Sequence, residues 1–77
     1  MEENIELKEN NIYLTHRSGN NHQNEINSFK LLLITDTSYQ LMWLESENIM
    51  WFRKDNFIET HTILENITNF IEMKLQQ

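Results

Sequence analysis

Two regimes of hydrophobic spacing divide the chain. Over residues 11–17, 28–35, 39–44 and 49–53, β-branched and aromatic residues crowd into short runs, the composition of strands rather than helices. Polar turn formers separate them. Residues 18–24 (Ser18-Gly19-Asn20-Asn21-His22-Gln23-Asn24) predict an exposed loop, and Asp36-Thr37-Ser38 and Glu45-Ser46-Glu47-Asn48 predict two tight turns. A fifth short strand is expected over 57–60, and the alternation of Ile5 and Leu7 allows an edge strand within 1–9. After Thr60 the period lengthens. Ile63, Leu64, Ile67, Phe70, Ile71 and Leu75 recur at three and four residues, with Glu65, Thr68, Asn69 and Glu72 on the opposite side. That stripe predicts an amphipathic helix over 62–75, opened by a Thr62–Glu65 capping box. The expected fold is α+β: a small antiparallel sheet of four to five strands, curled or barrel-like, closed by one C-terminal helix within a single domain.

The segment 38–54 is the most informative. A two- or four-residue connection centred on Ser46-Glu47 sets Trp43 opposite Met50, Leu41 opposite Phe52, Met42 opposite Trp51 and Leu44 opposite Ile49. Opposed residues share a face. One face then holds Tyr39, Leu41, Trp43, Met50 and Phe52, and the other Met42, Leu44, Ile49 and Trp51. The preceding strand repeats this, with Phe29, Leu31 and Leu33 against Leu32 and Ile34. A half-exposed antiparallel sheet alternates apolar and polar residues; this one needs cover on both sides, and one helix supplies one cover. The second is expected from curling into a barrel, from a second copy, or from a partner docked on the spare face.

The run Tyr39-Gln40-Leu41-Met42-Trp43-Leu44-Glu45-Ser46-Glu47-Asn48-Ile49-Met50-Trp51-Phe52, continuing through Arg53-Lys54-Asp55-Asn56-Phe57-Ile58-Glu59, resembles the central hairpin and following turn of SH3-like barrels of the Tudor type. The resemblance covers under a third of the chain, which lacks the glycines usual in such barrels. It implies recognition of a peptide, a modified side chain or nucleic acid through aromatics at strand ends, nominating Tyr39, Trp43, Trp51 and Phe52, with Glu45 and Glu47 at the turn. The alternative for each ring is a place in the core.

Composition narrows the function classes. Twelve acidic against six basic residues give a net charge of −6, which repels phosphate backbones and disfavours direct nucleic-acid binding. Such a surface suits a basic protein partner, and it also serves plain solubility. With no cysteine there is neither a disulfide nor a thiolate metal site. The polar, acidic residues 1–9 do not resemble a secretory leader, and no run approaches the roughly 20 apolar residues of a membrane span; a cytoplasmic location is expected, the host's if the protein is phage-encoded.

Candidate chemistry is thin. His16, His22 and His61 show no metal-ligand spacing, and alternation with Ile12 and Leu14 points His16 toward the core or its rim. Glu45 and Glu47 flank an exposed turn, Asp55 and Glu59 neighbour Arg53 and Lys54, and the single glycine offers no phosphate cradle. No catalytic residue, metal or cofactor is expected. The leading expectation is a small non-catalytic protein-binding inhibitor or adaptor, similar in gross character to phage-encoded counter-defence proteins of the anti-CRISPR kind. A Tudor-like recognition module and a small-molecule binder at a homo-oligomer interface are the alternatives.

Overall fold

A computed structural model describes residues 5–17 and 25–70. The chain forms β1 (Ile12–Arg17), β2 (Ile26–Ile34), β3 (Ser38–Trp43), β4 (Ile49–Arg53), α1 (Lys54–Thr60) and β5 (His61–Asn66). Short connections make β2, β3 and β4 antiparallel neighbours, β1 pairs with β2, and β5 returns to the far side of β1, giving the order β4-β3-β2-β1-β5. β4 and β5 are the two edges and run in the same direction, so α1 is a crossover that carries the chain over one face.

The sheet is strongly curled. The Phe52 ring on β4 lies 5.7 Å from the His61 ring on β5, whereas strands four places apart in a flat sheet stand about 19 Å apart. The expected barrel is nonetheless not closed. Phe57 of α1 wedges between the edges, its ring 5.3 Å from Phe52 and 4.6 Å from His61, and no strand pairing joins β4 to β5.

Three element assignments differ from the sequence reading. Residues 57–60, expected as strand, belong to α1, where Phe57 is the buried residue and Thr60 Oγ1 donates back to the Asn56 carbonyl at 2.8 Å. Residues 62–66, expected to open the helix, are strand. Thr15 Oγ1 donates to the Thr62 carbonyl at 2.8 Å, and the β1–β5 register shifts between Leu14 and Thr15, leaving Leu64 as an extra residue in β5. A bulge breaks the period of two, which is why Ile63-Leu64 imitated a helical stripe. Helical backbone begins only at 68–70; the rest of the expected helix, like the expected 18–24 loop and residues 1–4, lies outside the described residues. Residues 5–8 form no strand: Ile5 and Leu7 pack against the core, and Tyr13 Oη accepts from the Lys8 amide at 2.8 Å while donating to the Glu6 carbonyl at 3.0 Å.

A second bulge, between Leu31 and Leu33, turns Ile34 to the core side and Leu33 outward, against the simple alternation expected for that strand. In β1 the core-facing residues are Tyr13 and Thr15, both fully buried. His16 shares the opposite face with Ile12 and Leu14, which corrects its expected direction. Tyr13, Phe29, Leu31, Tyr39, Leu41 and Phe57 form the core on the concave face. Phe29 is its hub, with ring centroids 5.5–5.7 Å from Tyr13, Trp43 and Phe57.

Candidate functional site

The β3–β4 hairpin turns through 44–47. The Trp43 amide donates to the Asn48 carbonyl at 2.9 Å and the Glu47 amide to the Trp43 carbonyl at 2.7 Å, with Glu47 in the left-handed region at φ 61°. Pairing therefore runs Met42–Ile49, Leu41–Met50, Gln40–Trp51 and Tyr39–Phe52, two residues from the expected register. A slip of two preserves side-chain parity, so the expected partition of the hairpin between two faces holds although its partners change.

The six nominated residues are thereby divided. Tyr39 is in the core, edge-on to Phe57 at 5.8 Å, with Lys54 Nζ 5.6 Å from its ring centroid. Trp43 and Phe52, edge-on to each other at 6.2 Å and each half-buried, floor a concave cleft of about 320 Å³ together with Met50 and His61. Arg17, Glu25, Asn27 and Glu45 rim it. Glu45 also anchors the turn, its Oε2 accepting from the Ser28 amide at 2.8 Å and the Ser28 hydroxyl at 2.6 Å. Trp51 lies on the other face and is 53% exposed, beside Ile49 at 58%. Glu47 sits on the exposed turn. The structure thus brings Trp43, Phe52 and Glu45 together at the cleft, buries Tyr39 in the core beside Phe52, and places Trp51 and Glu47 apart from them.

His61 and the rim groups Arg17, Glu25 and Asn27 were not nominated from sequence. Nothing local in the sequence marks His61, whereas as the first residue of β5 it stacks on Phe57 at 15° and lies 5.6 Å from Trp43. Burial, and secondarily the Arg17 guanidinium, lower its pKa from the ordinary value; a hydrogen bond involving the Phe57 backbone and the Glu25 carboxylate act the other way. Thr60 Oγ1 stands 2.8 Å from Nδ1. With its hydroxyl proton given to Asn56, that oxygen accepts from the ring N–H.

Beyond α1 lies a wider open groove of about 760 Å³, walled by Ile5, Leu7, Ile34, Phe57, Ile58 and Ile63 and touched by Lys54 and Glu6. The wider groove is largely apolar-walled, whereas the cleft combines an aromatic floor with a charged rim. Among the described residues no three His, Asp or Glu side chains stand close enough to share a metal ion, and no helix is long and apolar enough to cross a membrane.

The outer face is mixed. Ile12, Leu14, Met42, Leu44, Ile49 and Trp51 lie there with Ser28, Lys30 and Gln40 between them. Among the described residues no element covers it, and its exposed apolar residues are Ile49 and Trp51 on β4, with Leu33 and, at the far end of the face, Ile26 on β2. No family model matches the chain, and no curated protein or solved structure is significantly similar to it.

Proposed function

We propose that this chain is a non-catalytic protein-binding domain, an inhibitor or adaptor, that docks a basic partner protein with the outer face of its β3–β4 hairpin. The observation that carries this reading is the exposure of Trp51 and Ile49 side by side on a sheet face that no described element covers. A half-exposed tryptophan beside an exposed isoleucine is the composition of an interface centre rather than of ordinary surface. Glu45 and Glu47 on the adjoining turn and the net charge of −6 supply the sign that selects a basic partner. Solubility alone accounts for the charge, but not for the tryptophan.

The test is capture with the immobilised chain and its Trp51→Ala variant. A basic protein retained by the former, lost by roughly tenfold or more in the variant and released by rising salt supports the reading. Retention that is equal for both chains overturns it. A second reading, recognition of a single side chain or small ring, is favoured by the aromatic cleft at Trp43 and Phe52; it predicts that Trp43→Ala, and not Trp51→Ala, abolishes capture.

A further inference from the structure

The two edges of the sheet are protected unequally. β5 carries a bulge and the polar residues Thr62, Glu65 and Asn66, and its bonding to β1 continues past its end, the Ile67 amide donating to the Ile12 carbonyl at 2.8 Å. β4 has no proline, inward charge or bulge, and α1 packs beside it at the Phe52 end: it is Ile49-Met50-Trp51-Phe52-Arg53, paired with β3 in unbroken register.

Its free backbone groups can be named. Asn48 and Lys54 bond to β3 through the Trp43 amide and the Thr37 carbonyl, so by the antiparallel alternation Met50 and Phe52 also turn inward. Ile49, Trp51 and Arg53 therefore direct their N–H and C=O groups away from the sheet, and among the described residues no strand pairs with β4 on that side.

We propose that this edge is the seam of a symmetric homodimer, in which β4 of two copies pair antiparallel about Met50 and join two five-stranded sheets into one. That centre places Ile49 opposite Trp51 of the second copy, both with outward backbone groups, and each such pair exchanges its two hydrogen bonds. Beyond the paired residues, Arg53 comes up to the turn of the second copy that carries Glu47, so each end of the seam brings opposite charges together. A seam centred on Trp51 instead sets Glu47 against Asp55 and Ile49 against Arg53, like charges and an apolar–charged mismatch. Charge complementarity between Arg53 and the acidic turn thus points to a second copy as the occupant, and favours the Met50 centre over the Trp51 one. Arg53 is available for it: its contact with Asp55 is 3.6 Å long, and both side chains are about 70% exposed. The outward faces of the two copies then adjoin, bringing both Trp51 rings onto one surface.

The test uses the purified full chain and needs no partner, so its failure is separable from that of the docking reading. Sedimentation velocity from about 1 µM to 1 mM is expected to show twice the chain mass at the upper end. Glu47→Arg and Arg53→Glu should each weaken association by roughly tenfold or more, and the double exchange should restore it. In parallel, the Ile49 and Trp51 amides should gain hydrogen-exchange protection with concentration, while the Met50 amide stays protected throughout. A single-chain mass at every concentration overturns the proposal, as does a dimer indifferent to both exchanges.

Discussion

The concave and outer faces of this sheet draw on the same hairpin, yet only one is finished. On the concave side Tyr13, Phe29, Tyr39, Trp43, Phe52, Phe57 and His61 form a continuous set of ring contacts, with centroids 4.6–6.2 Å apart. On the outer side Ile49 and Trp51 stand in solvent, and Lys30 and Gln40 interrupt the apolar residues. The difference is made less by how many apolar residues each face has than by one crossing: α1 brings Phe57 over the concave face, and curling lets residues from opposite edges meet around it. Burial is decided by topology. Substitutions on the two faces should therefore differ far more than residue type alone implies.

The largest effect is expected at Phe29, fully buried at the centre of the ring contacts. Phe29→Ala should cost about 3–5 kcal/mol in urea denaturation, a large part of the stability of a domain this size. Ile49→Ala on the outer face should cost less than about 1 kcal/mol. Near-equal losses would mean that the outer face is covered after all.

An intermediate effect separates the faces by pH. His61, on the concave face, has a folded pKa below its unfolded value of about 6.5, chiefly through burial. The unfolded chain therefore binds the proton more readily, and the folded state loses stability as pH falls through and below that value. The melting temperature should drop on acidification through this window, and His61→Gln should flatten that part of the profile. A profile unchanged by the substitution would assign the acid sensitivity to other groups.

What the sequence made legible follows from how local each signal is. Four strands and the two-faced division of the hairpin rest on neighbours in the chain and hold in the structure, although the turn expected at 45–48 lies at 44–47 and the pairing slips by two residues. The errors cluster where tertiary contacts decide. Residues 57–60 became helical within the crossover that carries Phe57 over the core, and 62–66 became a strand beside the edge of β1, with Thr15 bonded to the Thr62 carbonyl. The bulges at Leu32 and Leu64 have no glycine to announce them, and each put two adjacent apolar residues where a strand should alternate. The site was half legible for the same reason. Trp43, Phe52 and Glu45 belong to the hairpin and were nominated together, whereas Arg17, Glu25 and His61 reach the cleft only through the β1–β2 and β1–β5 pairings.

The smallest effect is the sharpest probe of the comparison, because the chain has two tryptophans and the faces divide them. Trp43 packs edge-on against Phe29 and Phe52 on the concave side, while Trp51 is more than half exposed on the outer side. At concentrations low enough to hold the chain as single copies, Trp51→Ala should change stability by about 1 kcal/mol or less. It should also remove the fluorescence component most readily quenched by acrylamide. The remaining emission, from half-buried Trp43, should be blue-shifted and less readily quenched than that of Trp51 until the chain unfolds. A Trp51→Ala variant as unstable as Phe29→Ala would place Trp51 under cover in the single chain, and the outer face would then be part of the fold instead of a surface left for a partner.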